Sequence, residues 1–294
     1  MELLAIAGED ESLFVGQDLM GKQQIRSNLH NHSIRSDGQF SLRKLGAIAE
    51  KHSINIALSD HNIPPPDNEW YPGLVPGTEI TVREGIDIVT WGTLREMHSL
   101  FEDVIRRKLV GRNWRFNPTK LAIPEFLEAL DARHLKCNHA HYGTIEGLSG
   151  LPILEQHTIL EKSRHFAFLE LNALLRAYKN KLACLLAQKW SIPLIATGDT
   201  HRYERQHIST FTEISRDVLI EDSAQSLITR FLHTLHTQPH TNVLHHVPLH
   251  EKILTGAQIV SRAGLIPTLR FGKRLVERMV GLRPKAHAAL CSSA

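Results

Sequence analysis

Short segments rich in β-branched and aromatic residues alternate with helix-forming segments between residues 24 and 202. The predicted strands are 23–30, 55–59, 74–80, 86–91, 135–140, 166–172 and 193–199. The predicted helices between them are 41–52, 94–109, 123–133, 152–164 and 174–190. Such alternation is typical of parallel βα units. Seven strands with intervening helices favour an α/β fold, specifically a distorted barrel.

Three parts of the chain differ in pattern. Residues 1–22 form an N-terminal segment, residues 23–205 form the predicted barrel core, and residues 206–294 form a mostly helical C-terminal extension. Helices are predicted in this extension at 223–237 and 268–282. The sequence leaves open whether the extension packs on the barrel or is appended to it.

The composition is that of a globular protein, with 42% hydrophobic and 22% charged residues. No run of about 18 apolar residues occurs, so no transmembrane helix is expected. The start, "MELLAIAGEDE", carries acids where a signal peptide has a basic leader, so we expect a cytoplasmic protein. The three cysteines, Cys137, Cys184 and Cys291, are far apart, and any metal site must therefore use nitrogen and oxygen ligands.

The C-terminal end of the chain is basic. Residues 265–287 contain six Lys or Arg residues and one Glu, which leaves the rest of the chain slightly acidic, since the net charge is +3. The helix at 268–282 is basic and amphipathic, and an ordinary surface helix, a contact with an anionic membrane surface and a contact with a partner all fit this pattern. An acidic body is not typical of a general nucleic-acid-binding protein.

Polar residues lie at or just after the ends of the predicted strands. They are His30, His61, Glu79, His139 and Asp199. In an α/β barrel the C-terminal strand ends converge on one face, where active sites are built. The sequence therefore predicts a functional site at this face.

Two pairs of these residues have a spacing that suits a metal ion. Residues two apart on a strand point to the same side, and His30 and His32 have this spacing. Asp199 and His201 repeat it. Imidazole nitrogen and carboxylate oxygen are ligands for Zn, Mn or Fe.

The ordered motifs "HNHSIRSDG", "SDHN", "GTEIT", "NHAH" and "GDTH" lie within residues 28–202. In this order and spacing the chain resembles the PHP (polymerase and histidinol phosphatase) superfamily of metal-dependent phosphoesterases. Glu170 and Asn172 of "LELN", and Asn180 in the next helix, are also similar to residues of that family.

The resemblance implies a distorted (β/α)7 barrel of PHP type with two or three divalent metal ions, for which Zn, Mn and Fe are candidates. It implies a first ion held by His30, His32, Glu79 and Asp199. Glu79 would bridge to a second ion, which also takes a histidine of "NHAH". A third ion would take Asp37, His61 and His201.

The chain departs from the family pattern at two places. The family has a histidine on the fourth strand, whereas this chain has "IDIVTWG", in which Asp87 is the nearest donor by register. In "NHAH" two histidines compete for one role. We prefer His139 as the ligand, with His141 as a second ligand or a phosphate contact.

The chemistry implied is hydrolysis of a phosphoester. Divalent ions lower the pKa of bound water, so hydroxide attacks phosphorus at neutral pH without a protein nucleophile. Asp199 or His201 would transfer the proton. Four arginines follow strand ends and are candidates for phosphate contacts, although each also fits as a solvated residue: Arg35, Arg83, Arg176 and Arg202.

Several functions remain open for such a site. The leading hypothesis is a phosphatase or phosphodiesterase of a small phosphorylated molecule or nucleotide, and an exonuclease would use the same ligands. A degenerate metal-binding or regulatory module, and hydrolysis of a C–N or C–O bond, are alternatives. Four aromatic residues near the motifs are in place to stack on a base or sugar: Trp70, Tyr71, Trp91 and Tyr142.

Overall fold

The computed structural model describes residues 4–7, 12–17, 22–111, 114–144, 146–219 and 225–263. The strands of the first half are β1 (Leu4–Ala7), β2 (Ser12–Gln17), β3 (Gln23–Asn31), β4 (Asn55–Leu58), β5 (Leu74–Val75), β6 (Gly77–Thr81) and β7 (Asp87–Trp91). Those of the second half are β8 (Lys136–His139), β9 (Ala167–Asn172), β10 (Leu194–Thr197), β11 (Phe211–Ser215) and β12 (Thr241–Val243).

The α-helices pack around these strands. They are α1 (Leu42–His52), α2 (Leu94–Leu100), α3 (Ile123–Asp131), α4 (Ile153–Ser163), α5 (Ala177–Trp190), α6 (Glu204–Ser209), α7 (Leu227–Thr237) and α8 (Leu249–Ala263). Helix α2 continues through a π turn, Phe101–Ile105, and a 3-10 turn, Arg106–Lys108. Among the described residues, no helix is both long enough and apolar enough to cross a membrane. The basic helix predicted at 268–282 lies outside the described residues, as does Cys291.

The strands form two sheets in a mixed α/β fold. One sheet has the order β1-β2-β3-β11-β12, with β4 on β3 and β5 on β4, and the other has the order β10-β9-β8-β7-β6. Isolated parallel bridges join the two sheets at both borders, between Asn31 and Thr200 and between His61 and Glu79. Both bridges lie at strand ends that carry the candidate ligands.

The seven predicted strands are present, but the expectation of purely parallel βα units is wrong for β7. Strand β7 runs antiparallel to both β6 and β8. Only residues 82–86 separate β6 from β7, with Gly85 at a φ of 75°. A link this short forms a hairpin, because a parallel connection needs a dozen or more residues. The predicted strand 74–80 is also divided at Pro76, which has no amide hydrogen to donate.

The terminal regions contribute strands to the first sheet. Strands β1 and β2 form a hairpin that pairs with β3, and β11 pairs antiparallel with β3 on its other side. The sequence pattern predicted only helices beyond residue 206 and missed β11 and β12. Residues 211–215 therefore belong to the sheet that carries the first ligand motif.

Apolar side chains of both sheets fill the space between the sheets. Leu29, Val75, Phe168 and Ile195 are buried there together with Phe231 of α7. Helix α7 begins after Ser226, whose side chain accepts a hydrogen bond from the Thr229 amide. The polar strand ends thus lie above a packed interior, and α7 covers part of that interior.

Candidate metal centre

The end of β3 brings two imidazoles together. Nε2 of His30 and Nε2 of His32 are 3.2 Å apart, and both rings are buried. The ring centroids of His32 and His201 are 4.1 Å apart in a stacked arrangement. The pairing predicted from the H-x-H spacing is therefore present in the folded chain.

Glu79 lies between two sets of histidines. Its Oε1 is 3.5 Å from His30 Nε2 and 3.1 Å from His141 Nε2. Its Oε2 is 3.5 Å from His32 Nε2 and 3.2 Å from His61 Nδ1. One buried carboxylate thus faces four imidazoles and is placed to bridge two cations.

Asp37 forms the centre of a second set of contacts. Its Oδ2 is 3.4 Å from His61 Nε2 and 3.2 Å from His201 Nε2. Its Oδ1 is 3.3 Å from His32 Nδ1. Donor atoms of these four residues all lie within 4.8 Å of one another.

Three further donor groups adjoin this set among the described residues. They are His30, His141 and Asp199; His30, His32 and Glu79; and Glu79, Asp87 and His141. Every predicted ligand except His139 occurs in at least one group.

Of the two histidines of "NHAH", the structure brings His141 into the donor groups and directs His139 away from them. Strand β8 ends at His139, whose ring points to helix α4 and donates from Nε2 to Ser163 Oγ at 2.8 Å. That hydroxyl already donates to the Ile159 carbonyl, so the histidine is the donor. Burial lowers the pKa of His139 to about 4, and the ring stays neutral. Beyond the strand the backbone turns, with φ at 51° for His141, and this turn brings the His141 ring to Glu79.

Asp87 reaches the centre because β7 is antiparallel. Its position at the start of β7 is paired with Thr81 at the end of β6, so it lies at the same edge as the C-terminal ends of the neighbouring strands. Thr81 Oγ1 donates to Asp87 Oδ1 at 2.6 Å. Burial, together with the charges of Glu79 and Glu146, raises the pKa of Asp87 to about 7.

Asp60 orders the loop that carries Asp37, a role that the sequence did not reveal. Its carboxylate accepts hydrogen bonds from the Ser33 amide at 2.7 Å and from the hydroxyls of Ser33 and Ser36 at 2.6 Å. Gly38 closes the same loop, because a Cβ at this position would overlap the His32 carbonyl. The signal in the sequence was the place of Asp60 beside His61 in "SDHN".

Residues of β9 and α5 contact and orient other candidate ligands. Glu170 Oε1 is 2.7 Å from His30 Nδ1, and its Oε2 accepts the His141 amide at 2.6 Å. Asn172 Nδ2 donates to Glu170 Oε2 at 3.0 Å and to Asp199 Oδ2 at 3.2 Å. The side chain of Asn180 makes two hydrogen bonds to the backbone of Asn172, accepting from its N–H and donating to its carbonyl. Partners of this kind fix the orientation of metal ligands.

Asp199 and His141 both have a left-handed backbone, with φ values of 45° and 51°. Such φ values are uncommon for residues other than glycine and cluster at functional sites, where the surrounding structure imposes them. Here Glu170 accepts the backbone amide of His141, and Asn172 donates to the side chain of Asp199.

The electrostatics of the donor set suit divalent cations. Burial opposes the charging of His30, but Glu79 and Glu170 outweigh it and raise the pKa of His30 well above its usual value. In the same way Asp37 and Glu79 outweigh burial and raise the pKa of His61 to about 10. Among the described residues, the buried Glu79 Oε2 and Asp199 Oδ1 accept no hydrogen bond. The carboxylates thus draw protons onto the histidines, and a metal cation would displace those protons.

The four candidate arginines have different surroundings. Arg35 donates to the Pro64 carbonyl at 2.8 Å beside the Asp37 loop, and Arg202 donates to the Leu254 carbonyl at 3.2 Å. Arg176 is exposed at the start of α5. Arg83 pairs with Glu84 and is largely exposed. The structure thus brings Arg35 and Arg202 to ligand-bearing loops and leaves Arg83 on the surface.

The aromatic residues singled out in the sequence do not line the centre. Trp91 is fully buried and donates from Nε1 to the Leu29 carbonyl at 2.9 Å. Tyr142 is buried, and Trp70 and Tyr71 pack against an apolar cluster that includes Leu45.

The buried, neutral His207 predicts acid sensitivity of the fold. Burial lowers the pKa of His207 to about 3, well below its usual value of 6.5. The unfolded chain binds a proton at this residue below pH 6.5 and the folded chain does not, so the folded state loses stability as the pH falls from 6.5 towards 3. By linkage the loss at pH 5 is about 2 kcal/mol. We expect His207→Asn, which keeps a donor towards Asn31, to lose about that much less than wild type between pH 7 and pH 5.

Urea unfolding of both proteins with a chelator present measures this difference. His245→Asn, at an exposed loop position, is the control and should follow wild type at both pH values. Equal losses in wild type and His207→Asn would contradict a neutral, buried His207.

The fold was compared with known proteins. No family model matches the chain, and no curated protein matches it. Several solved structures, however, are similar to the chain. The lesion-specific endonuclease PfuEndoQ from Pyrococcus furiosus has 15% sequence identity and a TM-score of 0.54, with 74% of this chain and 57% of the endonuclease covered.

Two other structures have similar scores. A two-domain protein from Bacteroides vulgatus containing a "predicted PHP-like metal-dependent phosphoesterase" has 13% identity and a TM-score of 0.51, with 87% of this chain and 75% of that chain covered. PsfC from Pseudomonas syringae has 12% identity and a TM-score of 0.50, with coverages of 81% and 98%. The chain therefore has a PHP-like fold, which confirms the resemblance drawn from the motifs.

Proposed function

We propose that this protein is a metal-dependent phosphoesterase whose strands close into a distorted (β/α)7 barrel of PHP type. The observation that supports this most directly is the meeting of four adjoining donor groups at one edge of a PHP-like fold. The two bridges between the sheets, at His61 and at Thr200, are consistent with closure at that edge.

The donor groups suggest two or three ions of Zn, Mn or Fe. The first would be held by His30, His32, Glu79 and Asp199, the second by Glu79, Asp87 and His141, and the third by Asp37, His61 and His201. We propose Asp87 as the replacement for the imidazole that the family has on the fourth strand. His139 is left out of this set because its ring is bonded to Ser163.

Divalent cations in such a site lower the pKa of bound water and neutralise phosphoryl oxygens. Asp199 is the better candidate for proton transfer, because its Oδ1, which would be a ligand of the first ion, accepts no hydrogen bond among the described residues and would lie beside ion-bound water, while Asn172 holds Oδ2. His201 Nδ1 contacts the Asp199 carbonyl at 2.9 Å, so only Nε2 faces the centre. His201 therefore acts as a ligand in this proposal.

Basic residues of the loops would bind phosphate oxygens that the ions leave free. Lys252 of α8 donates to the Leu174 carbonyl at 2.6 Å, which places a cation near Arg176 at the start of α5. Arg202 follows the last ligand motif. These three basic residues, Lys252, Arg176 and Arg202, support a small phosphorylated molecule or nucleotide as the substrate.

The proposal is tested by metal analysis followed by turnover assays. Protein purified without chelator should contain Zn, Mn or Fe and should hydrolyse p-nitrophenyl phosphate, bis-p-nitrophenyl phosphate or short nucleotides with Mn or Zn added. We expect His32→Ala to lower kcat/KM at least about 100-fold, since even partners of ligands contribute 10–100-fold. His246→Ala, at an exposed loop position, should stay within about twofold.

Three results would contradict the proposal. Protein without bound metal would exclude the metal centre. Metal binding without turnover of any ester would favour the regulatory module. Equal losses in His32→Ala and His246→Ala would place the active site elsewhere.

A nucleic-acid substrate is the second candidate. It is favoured by the likeness to an endonuclease, which shares the fold at a TM-score of 0.54. Incubation with labelled single-stranded and duplex oligonucleotides under the same metal conditions separates the two. Cleavage of oligonucleotides without hydrolysis of nucleotides would favour the nuclease.

A further inference from the structure

One turn beside the candidate centre is held by a buried amide. Nδ2 of Asn62, the residue after His61, lies 3.1, 2.9 and 3.1 Å from the carbonyl oxygens of Trp114, Arg115 and Asn117. Asn62 is fully buried, and its backbone N–H donates to the Glu79 carbonyl at 2.8 Å. The turn formed by residues 114–117 is therefore fixed to two ligand-bearing strand ends.

The same turn is also fixed to the loop that follows His32. Arg115 Nη1 donates to the Arg35 carbonyl at 2.9 Å. The guanidinium of Arg35 in turn contacts the Pro64 carbonyl in the loop after His61. Three segments thus form one continuous wall at this side of the centre.

The wall carries two aromatic rings, of which one contacts the candidate ligand His61. The ring of Phe116 is partly exposed and lies edge-on to the ring of His61, with 5.6 Å between centroids. The side chain of His61 is itself 17% exposed. Trp114 is partly exposed, and the Arg115 guanidinium lies 5.5 Å from its ring centroid. A molecule with an anionic group at the centre would therefore meet planar apolar surface and two guanidinium groups on this side.

Such a surface fits one class of phosphate ester better than others. Aromatic side chains stack on nucleobases whatever the base, because every base has a π-face. Guanidinium groups pair with phosphate oxygens. A sugar or aliphatic phosphate has no π-face to stack on the exposed parts of the Trp114 and Phe116 rings. A nucleoside monophosphate uses both features at once.

We infer that the turn at 114–117, as part of this wall, binds the base of a nucleoside monophosphate while the phosphate of that nucleotide lies at the metal centre. This inference rests on the proposed function and deepens it. Trp114 and Phe116 contact the base, and Arg115 is a positioning residue that holds the turn on the Arg35 loop.

The experiment compares adenosine 5′-monophosphate with ribose 5-phosphate, which has the same phosphate and sugar but no base. We expect the wild type to have a KM for the nucleotide about tenfold lower, a ratio in line with stacking of one base. Phe116→Ala and Trp114→Ala should remove most of this difference, so that the KM values for the two compounds come within about twofold of each other. Trp190→Ala, at the end of α5 and packed against the apolar cluster that includes Ala187, is the matched control and should keep the preference.

Binding is measured in parallel by calorimetry. The ligands are the phosphonate analogues of both compounds, in which a methylene group replaces the ester oxygen and prevents turnover. The inference is supported if the wild type binds the nucleotide analogue more tightly than the ribose analogue and if Phe116→Ala weakens binding of the nucleotide analogue.

The outcomes separate the two proposals. If the wild type hydrolyses neither these compounds nor the generic esters named above, the phosphoesterase proposal fails, and the calorimetry still decides on the wall. Equal binding or equal kcat/KM for the two compounds in wild type overturns the wall alone. Equal losses for both compounds in Phe116→Ala and Trp114→Ala would also overturn it.

Discussion

Glu79→Gln is expected to abolish turnover and to reduce the metal content of the purified protein. The two carboxylate oxygens of Glu79 face four imidazoles in two adjoining donor groups. An amide keeps the shape of the side chain but carries no charge and offers only one acceptor oxygen. We expect kcat/KM to fall at least about 100-fold, beyond the 10–100-fold effect of residues that only orient ligands.

The fold should tolerate this substitution. Glu79 is buried, and glutamine has nearly the same volume, so no cavity forms. Circular dichroism and urea unfolding check this, and elemental analysis gives the ions bound per chain. Glu213→Gln is the matched control, because Glu213 of β11 pairs with Arg26 of β3 and lies outside the donor groups. Full metal content and turnover in Glu79→Gln would show that Glu79 is not a ligand.

His141→Asn is expected to lose metal and turnover, whereas His139→Gln is expected to retain both. Asparagine suits the left-handed backbone at position 141 but removes the ring that faces Glu79 and Asp199. Glutamine at position 139 keeps a polar group near Ser163, outside the donor groups. We expect a loss in kcat/KM of at least about 100-fold for His141→Asn.

The comparison of these two variants decides between the two histidines of "NHAH". Bound metal and kcat/KM are measured on both variants prepared in the same way. Loss of metal in His139→Gln with an unchanged His141→Asn would restore the preference drawn from the sequence and contradict the geometry.

The positions of the strands and the donor residues could be predicted from local sequence. Segments 55–59 and 193–199 coincide with β4 and β10 to within about two residues, a usual error at strand ends. The spacing of His30 and His32 was sufficient to predict that both rings reach one place, since it depends only on the geometry of one strand.

The direction of β7 was also encoded locally but was not recognised. The five residues 82–86 are too few for a parallel crossover, so a hairpin was the only connection that the chain allowed. The hairpin explains why Asp87, at the start of its strand, meets residues from the ends of others.

The choice between His139 and His141 could not be predicted from alternation. Residues two apart share a face only while the strand continues, and β8 ends at His139. The positive φ at His141 depends on its amide bonding to Glu170, which lies on another strand. The sequence contained no local signal for that contact.

The sequence by itself determined which residue types stand at the strand ends and in what order, because strands and their turns depend on neighbouring residues. Only the tertiary structure decided which of them meet. Glu79 and His141 are 62 residues apart in the chain, and Asn62 reaches a turn more than 50 residues further on. Such contacts arise from the packing of two sheets around one interior, and no local pattern specifies which distant side chains that packing brings together.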